Sequence, residues 1–322
     1  RMTVIKKSIG NAFMTIPSTY MQQWSSPKFN MGSVSRQGVA VGRNERTITD
    51  EVVRICAFLR DVQFATADQI VKGTGVNFDK AQNNLMSQHF VNSFVLTDIQ
   101  DPSELRVQDA LRIYTLDFAG VYLLSIEGYD MTTWRWTDYL VSATVVRKAL
   151  AQTEIYVEMS KSTVCSIRNY QQFREFRIGA ASNDVDFFVS LKGRANGQVW
   201  NFAGFVVEAG DEDLYLRDKL ANLESVFHAT KAGYKYFPDG PEAFPKLLLV
   251  IEATTDRNIN AVKNLVGQVT SWAGADVAIV ALDDIHKNGM ANATYYSIGT
   301  KPDETGEGKI VALGKINMPL FK

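Results

Sequence analysis

The chain has 322 residues, 46% hydrophobic and 21% charged, with a formal net charge of −1; this excludes a fibrous or disordered protein and allows about two domains with separate cores. No apolar run reaches the roughly 18–20 residues of a membrane span and no basic-then-apolar leader opens the chain, so a cytoplasmic protein with no membrane partner is expected. Cys56 and Cys165 sit in apolar segments of different predicted domains, which reads as two buried thiols rather than a disulfide or a metal site.

Residues 1–46 are rich in Ser, Gly, Gln and Asn and carry seven basic residues against one acidic. They read as a basic, weakly ordered arm. Residues 47–130 read as one domain. Thr49 and Asp50 start an amphipathic helix over 51–60, with Val52, Val53, Ile55, Cys56 and Leu59 on one face. Thr66 caps a short second helix that turns Ile70 and Val71 inward. A turn at 73–75 leads to a third helix over 78–90, where Phe78, Ala81, Leu85, Met86 and Phe90 recur at helical spacing. Strands at 91–96 and 111–116 flank a polar loop, and Asp117 starts a closing helix. A helix-turn-helix backed by a two-stranded wing is a winged helix, which most often lays its second helix in a DNA groove.

Charge complicates that reading. Residues 47–130 hold six basic side chains against twelve acidic ones, and an acidic body repels phosphates. DNA contact then calls on the arm or on a second copy, and a homodimer suits two-fold sites. The polar face of the third helix, Lys80, Gln82, Asn83, Asn84 and Gln88, is the expected base-edge reader, because amides pair bidentately with adenine. Lys72 and the arm residues Lys6, Lys7, Arg36, Arg43 and Arg46 are the expected phosphate contacts. The competing expectation is an acidic winged helix that docks a replication or transfer protein.

Past Gly128 a helical pattern covers 132–156, with Trp134 and Trp136 close together; such a pair packs a domain junction more often than it binds a ligand. Strands are expected at 173–178, 185–191 and 199–208, with Asn196-Gly197 marking a hairpin. A helix over 213–231 follows, then an apolar strand from Lys246 of the kind buried on both faces. A helix at 259–272 and strands at 277–282 and 309–316 complete the chain. The expected fold class is α/β in the α+β sense, with residues 131–322 forming a mixed sheet flanked by helices.

Asp186 opens the second of these strands, Glu208 ends the third, and Lys219 lies on the following helix. Two carboxylates at neighbouring strand ends can share Mg²⁺ or Mn²⁺, with a lysine stabilising charge nearby, so all three are candidate catalytic residues and Asp186 and Glu208 candidate metal ligands. The same residues also suit a turn, a strand-end cap and a solvated helix face. No Gly-x-x-x-x-Gly-Lys-Ser/Thr loop is present, and His89, His228 and His286 lack zinc spacing. Tyr234-Lys235-Tyr236 either stacks on bases or packs against the sheet.

The order α-β-β-β-α-β and the Asp…Glu spacing resemble the restriction-endonuclease-like fold, whose signature is Pro-Asp followed by Asp/Glu-x-Lys. Here no Pro precedes Asp186 and Gly210 stands where the lysine is expected, so Lys219 becomes a relocated substitute. From Thr47 to about Leu282 the chain resembles the replication-relaxation family of Gram-positive plasmids, integrative elements and phages. The resemblance rests on TDEVVRICAFLRDVQFATADQI, IYTLDFAGVYLL, VDFFV, FVVEAGDEDLYLRDKL and LLLVIEATTDRN together. It implies a winged helix, a nuclease-like domain, and a role in plasmid replication or DNA processing during transfer. The family's Glu-x-Asp followed by Arg-Gly-Thr reads here as Glu208-Ala209-Gly210-Asp211-Glu212-Asp213, with the Asp displaced and the Arg lost. The expected function is a DNA-binding protein of a mobile element with a degenerate nuclease-like domain. Its rivals are a Mg²⁺- or Mn²⁺-dependent nuclease and a protein-docking adaptor.

Overall fold

Ser35 opens the first described α-helix, α1 (Arg36–Asn44), by accepting a hydrogen bond from Gly38 N at 2.9 Å. The computed structural model describes residues 22–23, 28–97, 111–173, 175–178, 181–207, 215–228, 244–251, 274–306 and 309–322. The chain divides into two units, Arg1–Val157 and Glu158–Lys322. The first unit therefore runs past the sequence-based boundary at 130. Part of the expected arm is also ordered structure, because α1 packs on a later helix of the same unit.

In the first unit α2 (Asp50–Val62) buries Ile55, Cys56, Phe58, Leu59 and Val62, and its first-turn Asp50 and Glu51 suit the positive end of the helix dipole. Next, α3 (Ala67–Thr74) starts on a reciprocal capping box: Gln69 N donates to Thr66 Oγ1 and Thr66 N donates to Gln69 Oε1, each at 3.2 Å. Gly75, at φ +70°, ends it in the left-handed conformation that glycine adopts without strain. The following α4 (Phe78–Ser87) buries Phe78 and Leu85. Strands β2 (Val91–Thr97) and β3 (Leu111–Leu116) pair antiparallel, Val91 opposite Leu116, and the short β1 (Gln22–Gln23) adds to β2. On the other edge Ala65 bridges Tyr114, with N–H···O bonds of 3.1 and 2.8 Å. Asp117 then caps α5 (Phe118–Ile126), against which α1 packs.

The long helix expected from residue 132 begins later. A 3-10 turn at Trp136–Tyr139 comes first, and α6 runs Ala143–Ser160. The reason is aromatic packing. The Trp134 indole N–H donates to Tyr139 Oη at 2.9 Å, and Phe29 sits with ring centroids about 6 Å from Phe118, Trp134, Trp136 and Tyr139. A continuous helix would not gather these rings.

The second unit is built on a seven-stranded mixed sheet. Strands β4 (Cys165–Gln172), β7 (Phe187–Gly193) and β8 (Val199–Val207) form an antiparallel meander. A separate hairpin, β5 (Glu175–Ile178) with β6 (Ala181–Asp184), is inserted before β7. After β8 the chain forms α7 (Tyr215–His228) and returns as β9 (Lys246–Ile251), parallel to β8. β10 (Gly274–Ala281) continues parallel to β9. Helix α8 (Leu282–Asn292) then leads to the antiparallel pair β11 (Tyr295–Pro302) and β12 (Lys309–Ile316). Leu216, Leu220 and Leu223 of α7 lie on one face and pack on Phe205, Val207, Leu249 and Ile279. The expected hairpin at Asn196-Gly197 is present, with Lys192 opposite Val199 and Gly197 at φ +67°. Sequence reading missed α1, β1, β4, β6, α8 and β11, and its helix at 259–272 lies outside the described residues. Among the described residues no helix is long and apolar enough to cross a membrane.

Candidate functional site

The first candidate surface is the outer face of α4. Lys80, Asn83, Asn84 and Gln88 are exposed there, as expected. Gln88 Nε2 donates to Asn84 Oδ1 at 2.8 Å. Gln82 differs from its expected role. The phenol of buried Tyr114 donates to Gln82 Oε1, while Gln82 Nε2 donates to Asp79 O at 3.2 Å. This amide braces α4 against β3 rather than pointing outward. Burial pushes the Tyr114 phenol up to about 12, with Arg112 opposing and Asp79 adding to the shift.

Of the expected phosphate contacts, Arg43 and Lys72 are held in ion pairs. Arg43 is tied inside its unit: Nε reaches Glu127 Oε1 and Nη2 reaches Asp50 Oδ1, each at 2.6 Å, and Nη1 donates to Ile48 O at 3.1 Å. Hydrogen bonds first to Glu127 and then to Asp50 raise its pKa further. Its guanidinium is thus the clamp that holds α1 to α5 and to the start of α2. Lys72 pairs with Asp68 one turn away at 2.8 Å. Arg46 is exposed at φ +61°, just past α1, and Arg36 Nη2 lies 3.4 Å from Ser125 Oγ. Lys6 and Lys7 lie outside the described residues.

The second candidate lies where β7 begins. Asp186 is 1% exposed, and its Oδ2 accepts from Val206 N at 2.8 Å. The register explains this contact. Phe187 opposes Gly204, so the residue facing Val206 would be Val185, but the chain bends out of the sheet at Asp186. The carboxylate takes the place of the missing strand carbonyl, as a buried N–H requires. Lys219 approaches this corner from α7, but its ammonium is hydrogen-bonded to the Asp184 carboxylate. Asp184 was not singled out from sequence, although its spacing of two from Asp186 was the available signal. Glu208 lies outside the described residues, as do Tyr234 and its neighbours. Among the described residues no three His, Cys, Asp or Glu side chains gather as a metal-binding group, so those residues alone do not provide the ligand set of Mg²⁺ or Mn²⁺.

No family model, curated protein or solved structure matches the chain.

Proposed function

We propose that the chain is a DNA-binding protein of a mobile genetic element, acting in the cytoplasm in plasmid replication or DNA transfer. In this reading the first unit is a winged helix and the second a nuclease-like scaffold with a degenerate site. The observation that carries it is the Ala65–Tyr114 bridge. It ties the segment between α2 and α3 to the edge of the β2–β3 pair, the strand arrangement that completes a winged helix. With Phe78 and Leu85 buried, the opposite face of α4 is left as an outward polar surface. Such a face docks in the major groove, with lysines and backbone groups positioning it on phosphates.

The full chain is expected to bind duplex DNA in fluorescence anisotropy, with affinity falling as salt rises. Joint replacement Lys80→Ala, Asn83→Ala should weaken binding. Absence of salt-dependent binding, or binding indifferent to that double variant, would overturn the reading in favour of a protein-docking surface.

A second reading, a metal-dependent nuclease, is favoured by the path β4-β7-β8-α7-β9 with β9 parallel to β8. Its test is cleavage of supercoiled plasmid with Mn²⁺, abolished by Asp186→Ala and by Glu208→Ala.

A further inference from the structure

The outward face of α4, with its C-cap residue Gln88, carries Asp79, Lys80, Asn83, Asn84 and Ser87, and no arginine. Guanine is most often read by a cation aimed at its two major-groove acceptors, O6 and N7. This face has one cation but several amides. Two of the amides already touch: Gln88 Nε2 donates to Asn84 Oδ1 across one helical turn, at 2.8 Å. That bond occupies Gln88 Nε2 and Asn84 Oδ1. Asn84 Nδ2 then serves as a donor and Gln88 Oε1 as an acceptor.

Adenine is the base that presents an acceptor beside a donor in the major groove, N7 next to N6–H₂. Resting on the reading of this unit as a DNA-binding module, we infer that Asn84 and Gln88 act together as one reader of an adenine edge. Asn84 Nδ2 donates to N7 and Gln88 Oε1 accepts from N6. Guanine is disfavoured because its O6 would face the Gln88 oxygen, two acceptors with no proton between them. Cytosine offers a donor without the acceptor, and thymine an acceptor without the donor. The bond between the two amides restrains both side chains before binding, so less rotamer freedom is lost on contact. Gln82 is excluded from this role, since Tyr114 and the Asp79 carbonyl hold both ends of its amide.

The test uses the full chain and a random-sequence duplex pool. Selected duplexes are resynthesised with 7-deazaadenine, which keeps Watson–Crick pairing but lacks N7. The expected outcome is a fixed adenine in the selected sites and about a tenfold loss of affinity on its 7-deaza replacement. The joint variant Asn84→Ala, Gln88→Ala, both exposed positions, should keep its circular dichroism spectrum and lose sensitivity to the replacement. Selected sites without a fixed adenine, or an equal 7-deaza loss in the variant, would overturn this inference while leaving DNA binding standing. Failure to retain any duplex at low salt would overturn both.

Discussion

Arg43 and Glu127, 84 residues apart in sequence, meet through two hydrogen bonds, Nε to Oε1 at 2.6 Å and Nη2 to Oε2 at 3.3 Å. The guanidinium is 23% exposed and the carboxylate 26%, so solvent screens the pair only in part. A forked contact of this kind fixes geometry as well as charge. Arg43→Ala is expected to lower stability by about 1–2 kcal/mol, read as a shift in the urea midpoint. Arg43→Lys should recover little, because an ammonium cannot make the paired contact. If Arg43 were instead a phosphate contact, the alanine variant would keep its midpoint and flatten the salt dependence of DNA binding.

Alkaline pH should destabilise the fold in a defined window. Burial raises the phenol of Tyr114 to about 12 and pushes Tyr139, Tyr156 and Tyr295 up as well. An unfolded phenol ionises near 10, so above that pH the unfolded state holds fewer protons than the folded one. The stabilisation is full below pH about 10 and is lost as pH rises towards the folded values, by at most about 1.4 kcal/mol per pH unit for each phenol. Tyr114→Phe should cost about 1 kcal/mol at neutral pH through the lost Gln82 contact and reduce the alkaline slope. Unfolding midpoints between pH 8 and 11 check both effects.

The elements that could be read from sequence are those set by neighbours along the chain. Thr66 and Gln69 are three residues apart, and their reciprocal cap forms as Thr66 suggested. Asn196-Gly197 lies in the turn it specifies, and the apolar runs expected as strands at 111–116 and 199–208 form strands at 111–116 and 199–207. The misses are elements decided at a distance. The aromatic residues of 132–139 look helical by spacing, yet Phe29, about a hundred residues earlier, draws them into a ring cluster. β4, CSIRNYQQ, carries too many polar residues to stand out, and it is a strand because β7 pairs with it. The candidate sites divide in the same way. Exposure of Asn83, Asn84 and Gln88 follows from helical periodicity, whereas the capture of Gln82 by Tyr114 and of Lys219 by Asp184 needs the folded chain.

Gly120 brings α5 tightly against Leu116 and the turn at Phe90. A Cβ there would stand 2.5 Å from Leu116 Cδ1 and 2.6 Å from the backbone oxygen of Phe90. The leucine can rotate, but the carbonyl belongs to the turn that anchors α5, since Asp117 N donates to it at 3.1 Å. Gly120→Ala is therefore expected to destabilise the first unit by about 1–3 kcal/mol. Thermal unfolding checks this, and an unchanged midpoint would mean that the turn at Phe90 yields to the added methyl group.

Asp186 offers the sharpest separation of structural from chemical roles in the second unit. Its Oδ2 satisfies the Val206 N–H at the point where β7 leaves the sheet. Asp186→Ala removes the acceptor and leaves a buried donor unpaired, a loss of about 1–3 kcal/mol. Asp186→Asn keeps an oxygen of similar reach, so it should recover most of that stability. A carboxylate held only for catalysis behaves in the opposite way: its burial is a strain, and neutral replacement leaves the fold equally or more stable. Urea midpoints of the two variants, read beside Lys219→Ala, decide the matter. A drop for Ala with recovery for Asn assigns Asp186 to closing the end of the β7–β8 pair. No drop for either would return it to the candidate active site, with Lys219 and Asp184 as its neighbours.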